Sequence, residues 1–249
     1  MRRMLVILVV LGVLIAPVAR AQERPVTIRY FGWSFFLVTT ADGLRIAIDP
    51  FGNIDYPLPT VEADVVLVTH EHGDHNNVGL IRGTPRVHRG LAPGAADWNR
   101  IYERIGGTLI YAVPAFHDDV QGTSARGLDT IFVIDSGGVR IAHLGDLGQP
   151  ELSEGQLRAL GALDILMIPV GAGPFTVTPA QATAVAAQIR PKIVIPMHYK
   201  TPVRPTWPGI DERAFLEGKQ NVRRLGSHTL PITRDQLPST TQIIVMDYQ

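Results

Sequence analysis

The sequence predicts an α/β fold, and three observations predict it. Short β-branched runs alternate with amphipathic stretches and turn residues from Val26 onward, which is the pattern of strands and helices packed in layers. Of 249 residues, 45% are hydrophobic and 18% charged, an ordinary globular composition with enough apolar material for one large core. Polar residues cluster directly after several apolar runs, the way strands deliver side chains to a site.

The elements follow in order. Val26 to Tyr30 and Phe35 to Thr39 read as strands, and Ala41-Asp42-Gly43 turns the chain into a third at Leu44 to Ile48, an antiparallel opening. Asp64 to Thr69 is a buried strand running into His70, with Asn76 and Asn77 placed to cap a following helix. Ala95 to Ile105 carries Trp98, Ile101, Tyr102 and Ile105 at amphipathic spacing and is closed by Gly106-Gly107, so a helix is expected there. Thr108 to Val113 is a strand that stops at Pro114, and Asp129 to Ile134 and Val139 to Leu144 flank Ser136-Gly137-Gly138 as a hairpin. Ser153 to Leu160 reads as a helix and Asp164 to Pro169 as a strand. Thr178 followed by Pro179 opens a helix that runs to about Ile189, because threonine caps and proline is tolerated at the first helical position. Lys192 to Pro196 is the next strand. Gly171 to Thr176 and Tyr199 to Gly209, rich in Gly and Pro, are the loops expected to border a site.

Composition removes whole classes of function. Basic and acidic residues balance at 23 each, without the positive excess that nucleic-acid binding requires. Cysteine is absent, so disulfides, thiol nucleophiles and zinc-thiolate sites are excluded together, and any metal must sit on imidazole and carboxylate. At the N-terminus, Arg2 and Arg3 precede the apolar stretch Met4 to Ala16, and Ala19-Arg20-Ala21 has the small-x-small form of a cleavage site. Residues 1–21 are therefore expected to be a cleavable signal peptide and residues 22–249 one exported domain, periplasmic or secreted. The apolar run falls short of the roughly 20 residues that span a bilayer, so no stable membrane association is expected after cleavage. Removal of three arginines with the leader leaves 20 basic against 23 acidic residues, a slightly acidic chain.

The chemistry is concentrated in six residues, His70-Glu71-His72-Gly73-Asp74-His75. One isolated histidine is more often a hydrogen-bonded structural residue, whereas three histidines and an aspartate in a single turn after a buried strand point to a metal. Neutral imidazole with carboxylate suits zinc, manganese or iron. One such motif cannot complete two metal shells, so further ligands are expected at other strand ends. His117, Asp146 and His198 each follow one, in Val113-Pro114-Ala115-Phe116-His117, Ala142-His143-Leu144-Gly145-Asp146 and Val194-Ile195-Pro196-Met197-His198.

Together with Gly32-Trp33-Ser34-Phe35, Ile48-Asp49-Pro50-Phe51 and the tyrosine after His198, these motifs resemble the metallo-β-lactamase superfamily, in family order and over essentially all of residues 26–200. Within it the chain looks most like the branch of metal-dependent hydrolases related to L-ascorbate-6-phosphate lactonase. The resemblance implies a four-layer αββα sandwich with the site along one edge of two sheets. It implies two divalent metal ions per chain: His70, His72 and His117 hold one, Asp74, His75 and His198 the other, and Asp146 bridges both. Asp49 is expected to support the motif loop, and Trp33 departs from the histidine that related sequences often carry there.

Two metal ions that share one hydroxide would supply the nucleophile and polarise the bond under attack, so no nucleophilic side chain is needed. Asp74 is the expected catalytic residue, as ligand and as orienter or proton acceptor. His143 reads either as a hydrogen-bonding partner of a ligand or as a buried structural histidine. Tyr199 and Lys200 could meet an anionic substrate, or Lys200 could be a solvated loop lysine. His88 and His228 read as structural, and Arg82, Arg86 and Arg89 as a solvated basic face. The expected function is hydrolysis of a lactone, ester or phosphoester bond in a small molecule. Phosphodiesterase or phospholipase-like action, β-lactam hydrolysis, and a metal-containing binding protein are the alternatives. The oligomeric state is not encoded in any feature of the sequence.

Overall fold

Val26, Ile28 and Tyr30 are buried while Thr27 and Arg29 between them are half-buried, and this period of two makes the first described segment a strand. The computed structural model describes residues 24–171 and 175–249. The expected signal peptide and residues 172–174 of the first expected site loop lie outside them. Among the described residues, no helix is long and apolar enough to cross a membrane.

The strands are β1 (Val26–Gly32), β2 (Phe35–Thr39), β3 (Arg45–Ile48), β4 (Val61–Glu62), β5 (Val65–Val68), β6 (Ile81–Arg82), β7 (Arg86–Arg89), β8 (Tyr102–Ile105), β9 (Thr108–Phe116), β10 (Leu128–Ser136) and β11 (Val139–His143). They are followed by α1 (Glu154–Leu160), β12 (Ile165–Pro169), α2 (Pro179–Ile189), β13 (Ile193–Met197), α3 (Arg213–Leu216), β14 (Val222–Arg224), β15 (Thr229–Ile232) and β16 (Gln242–Val245). One sheet runs β15-β1-β2-β3-β5-β7 and the other β14-β16-β13-β12-β11-β10-β9-β8, with β4 and β6 as a separate pair.

The two large sheets face each other. Ile28, Phe36, Ile46 and Leu67 of the first pack against Phe132, Ile141, Met167 and Ile195 of the second in one apolar layer. The outer face of the eight-stranded sheet is covered by α1 and α2, whose Leu160, Ala182 and Val185 meet Val133, Ala142, Leu166 and Val194. Both helices open with a reciprocal capping box, Ser153 with Gln156 and Thr178 with Gln181. The outer face of the six-stranded sheet buries Phe31, Phe35, Ala47 and Val66 beneath Phe51, Tyr56, Val61 and Ile81, which belong to loops and to the short β4–β6 pair.

Two expected helices are absent for identifiable reasons. Residues 95–105 form a loop leading into β8. Asn99 spends its side chain on the Arg89 and Leu91 carbonyls, Trp98 Nε1 donates to the Ala115 and Asp129 carbonyls, and Tyr102–Ile105 pairs antiparallel with β9. Gly106-Gly107 is thus the turn of a hairpin, and long-range pairing overrides a short apolar period that helix and loop can share. After Asn76-Asn77 there is only a single 3₁₀ turn, Val78–Leu80, because both amides are engaged elsewhere, Asn76 with the Glu71 carbonyl and Asn77 with that of Phe51. Pro114 does not end β9. It pairs with Thr130 on one side, while on the other β8 reaches only Tyr111, so the missing N–H falls where β9 is an edge.

Candidate metal centre

Five strand ends from both sheets meet at one rim: β3 at Asp49, β5 at His70, β9 at His117, β11 at Asp146 and β13 at His198. Asp49 and His198 sit at φ +49° and +50°, a left-handed conformation that costs non-glycine residues roughly 1–3 kcal/mol and that turns each side chain out of its strand direction. His198 is held there by its own N–H, which donates to the Trp33 carbonyl at 2.8 Å. Asp146 is aimed by Gly145, at φ +52°, where an added Cβ would lie 2.3 Å from Asp129 Oδ1.

Asp146 Oδ2 is the centre of the cluster. It lies 3.2 Å from His198 Nε2, 3.3 Å from both His75 Nε2 and His117 Nε2, and 3.9 Å from His70 Nε2. Burial opposes ionisation of Asp146, but the surrounding imidazoles, His198 and His75 foremost, hold its carboxyl well below the usual range. Ligand atoms of His70, His72 and His117 lie within 4.8 Å of one another, as do those of Asp74, His75 and His198. His72 is exposed at the mouth while His70, His75, His117 and His198 are buried. All seven residues singled out in the sequence are therefore brought to one point.

Hydrogen bonds from beneath set which nitrogen each imidazole presents. Asp49, fully buried, accepts from Thr69 N at 2.8 Å, Thr69 Oγ1 at 2.7 Å and His75 Nδ1 at 3.0 Å. Thr69 Oγ1 spends its proton on Asp49, so at 3.0 Å from His70 Nδ1 it can only accept. Both His70 and His75 thus carry the proton on Nδ1 and turn an Nε2 lone pair into the cluster. Asp49, His70 and His75 also stand within 4.8 Å of one another, but the oxygens of Asp49 are already satisfied, so this trio braces the site from below.

The residues fit a divalent cation. Among the described residues, buried His70 Nε2, His75 Nε2, His117 Nε2 and Asp146 Oδ1 have no hydrogen-bond partner, at a cost of about 1–3 kcal/mol for each such group. Burial lowers the pKa of His70 far below its ordinary value and that of His72 as well, which keeps lone pairs on these two. At His75 and His117 burial is outweighed by the Asp146 carboxylate, which raises the pKa, so a cation there would displace a proton. Imidazole and carboxylate oxygen are the donors that zinc, iron and manganese take.

His143 is a brace with two partners: Nε2 donates to the Ser34 carbonyl at 2.9 Å, and Nδ1 accepts from Gly145 N at 3.1 Å, which pins the turn before Asp146. Tyr199 and Lys200 do not line the cluster. They border a separate hollow with Thr201, Glu212 and Arg224, because the chain turns away after His198 and Lys200 N bonds to the Ile210 carbonyl. His88 pairs with Glu103, and Arg86 and Arg89 pair with Glu103 and Glu71, as a solvated face does.

The sequence did not single out four residues that line the cleft over the cluster: Arg126, Phe175, Arg204 and Trp207. Three of them belong to the Gly- and Pro-rich loops already expected at the site. A fifth, Asp129, is fully buried 3.5 Å from His70 Nδ1, and burial, opposed by His117, pushes its carboxyl up to about 7.

Two facing sheets that bring imidazoles from the ends of β5, β9 and β13 to one carboxylate oxygen at the end of β11 define a metal-dependent enzyme with its centre at a sandwich edge. Residues 27–198 match the family model described as the β-lactamase superfamily domain. The chain is 35% identical to the UPF0173 metal-dependent hydrolase of Thermus thermophilus over 215 residues, covering 78% of this chain and 93% of the relative. It is 31% identical to the corresponding Thermococcus kodakarensis hydrolase, covering 74% and 87%. A Thermotoga maritima crystal structure, assigned to the Zn-dependent hydrolases of the metallo-β-lactamase superfamily, superposes with a TM-score of 0.70 at 30% identity over 90% of this chain and 99% of that one. The chain belongs to the metallo-β-lactamase superfamily and is one of its metal-dependent hydrolases.

Proposed function

We propose that this hydrolase holds two divalent cations and cleaves a lactone, ester or phosphoester bond of a small molecule. In this reading His70, His72 and His117 hold one cation, Asp74, His75 and His198 the second, and Asp146 lies between them. The observation that carries it is the single oxygen, Asp146 Oδ2, faced by four imidazole Nε2 atoms at 3.2–3.9 Å. Two cations there would lower the pKa of a water toward neutrality and polarise the bond to be broken.

The chain's own residues supply the rest. Trp33 Nε1 engages Oδ2 of Asp74, which leaves Oδ1 to take the proton of an attacking water. Asp49 and Thr69 hold His75 and His70 in the tautomer that presents Nε2. Trp33, Phe175 and Trp207 cover the approach with apolar surface, so a substrate that enters displaces water.

The test is a panel of lactones, phosphodiesters, carboxylic esters and β-lactams, offered to protein reconstituted with zinc or manganese, with Asp146→Ala as blank. Turnover of one class, absent in the blank, together with two metal equivalents that fall to one in His198→Ala, is the expected result. One equivalent in the unsubstituted protein would overturn the two-cation reading, and β-lactam turnover alone would overturn the choice of bond. Export belongs to the same proposal, supported by Arg2, Arg3, the apolar run Met4 to Ala16 and Ala19-Arg20-Ala21. Sequencing the N-terminus of protein recovered from outside the cytoplasm should begin at Gln22.

A further inference from the structure

We propose that the cleft over the cluster takes a substrate bearing a negatively charged oxyanion group, carboxylate or phosphate, and that Arg204 is the residue that receives it. This rests on the reading of the cluster as a hydrolytic centre and adds the substrate's charge to it.

Arg204 is placed unusually for a loop arginine. Its side chain is only 17% exposed, and among the described residues its buried Nε and Nη1 have no hydrogen-bond partner. The nearest carboxylate, Asp55, is 3.9 Å from Nε and itself 69% exposed, beyond hydrogen-bond reach and largely solvated. A guanidinium cannot shed its charge, so desolvated N–H groups without acceptors are costly unless something else supplies them. Its underside is already used: the guanidinium carbon stands 4.2 Å from the centre of the Trp33 ring, and that same ring donates to Asp74. The guanidinium therefore rests on the Trp33 ring at the wall of the cleft, with two donors that no described residue takes up.

The rest of the cleft agrees with an anion carried on an apolar body. It encloses about 410 Å³, a small-molecule volume. Asp74 and Asp146 are the carboxylates in its lining, and both are committed to the imidazole cluster, so neither neutralises Arg204. A second guanidinium, Arg126, lines the same cleft 5.3 Å from the Phe175 ring. Beyond Arg126 the adjoining hollow is lined by Asp118 and Asp119, which places the anion on the Arg204 side. Phe175 and Trp207 stack at 5.6 Å and give the same cleft an apolar surface. Carboxylate and phosphate both match the planar fork in bidentate fashion.

The test uses phenylphosphonate, an unreactive anionic probe, against its uncharged dimethyl ester. Binding to the purified full-length protein is followed by tryptophan fluorescence, with metal bound and again after chelation, since Trp33 and Trp207 line the cleft. Phenylphosphonate should bind and the ester should not. Arg204→Met should raise the phenylphosphonate Kd about ten- to a hundred-fold, metal-loaded or not, with metal content unchanged and no large loss of thermal midpoint. Arg204→Lys, which keeps the charge and loses the fork, should fall between. Equal Kd in unsubstituted protein and Arg204→Met, or equal binding of acid and ester, overturns the proposal. If Arg204→Met fails to fold, Arg204→Lys with an unchanged Kd does the same. Arg204-dependent binding without turnover of any panel compound would sink the hydrolytic reading and leave the anion site. Equal kcat/KM for neutral and anionic esters would do the reverse.

Discussion

Trp33 Nε1 donates to Asp74 Oδ2 at 3.1 Å, and so a residue of the turn between β1 and β2 orients a carboxylate of the motif loop. The same indole lies 3.9 Å from the His198 ring and 4.8 Å from Trp207, wedged between the motif and the loop after β13. Trp33→Phe keeps most of this packing and removes the donor. Metal affinity in chelator competition should fall about ten-fold or more, as loss of a bond that orients a ligand typically does. An unchanged affinity would mean that Asp74 is held by its loop alone.

Asp49→Asn tests the tautomer argument. Asp49 Oδ2 accepts from both Thr69 Oγ1 and His75 Nδ1, and an amide cannot accept at both its O and its N. With the amide oxygen kept for Thr69 N, the His75 proton should move to Nε2, away from the orientation a metal requires. Metal affinity should drop about ten- to a hundred-fold, with Tm lowered but the far-UV spectrum of the fold retained. Full metal binding at unchanged affinity would refute the role given to Asp49.

Gly145→Ala should destabilise the protein without touching a candidate ligand. The position sits at φ +52° and the new methyl would press on Asp129 Oδ1. A cost of about 2 kcal/mol is expected, seen as a Tm lower by roughly 4–8 °C for a domain of this size. A neutral effect would show that the β11 turn has slack.

Chelation should lower Tm reversibly. Cations that bind the native cluster and not the unfolded chain add about 2.7 kcal/mol of stability at a hundred times Kd, or roughly 5–10 °C. Restoration by zinc or manganese, a smaller response to chelator in a protein lacking both His75 and His198, and none once His70 and His117 are removed as well, are the expected results.

Stability at acid pH should respond to Arg45. Its side chain donates to Asp64 through Nε at 3.1 Å and Nη2 at 2.8 Å, and these bonds hold the Asp64 carboxyl below its ordinary value of 3.8. A carboxyl with a lowered folded pKa stabilises fully above its unfolded value and loses that contribution as pH falls through the folded one. The Tm gap between unsubstituted protein and Arg45→Met should therefore be present at pH 7 and close below about pH 4. A gap that persists at pH 2 would assign the effect to packing of the arginine stem.

Most of the frame was legible because its signals are local. His70 to His75 lie in one turn, the capping boxes of α1 and α2 span four residues each, and buried strands such as Val65–Val68 and Ile193–Met197 are continuous apolar runs. Residues 95–105 depart from the expected helix for the complementary reason: four apolar residues in a short window satisfy more than one periodicity, and pairing with Thr108 to Tyr111 decides between them.

The sequence by itself determined which side chains stand at the strand ends, His70, His117, Asp146 and His198, because an apolar run and the polar residues that follow it are properties of contiguous chain. Only the tertiary structure decided how they face one another. The contacts that aim them, such as Asp49 to His75 and Trp33 to Asp74, join segments 26 and 41 residues apart. The guanidinium of Arg204 comes to rest on Trp33 from 171 positions further along the chain. Such contacts exist only once the two sheets have packed, and no pattern of neighbouring residues encodes the direction in which a buried nitrogen points.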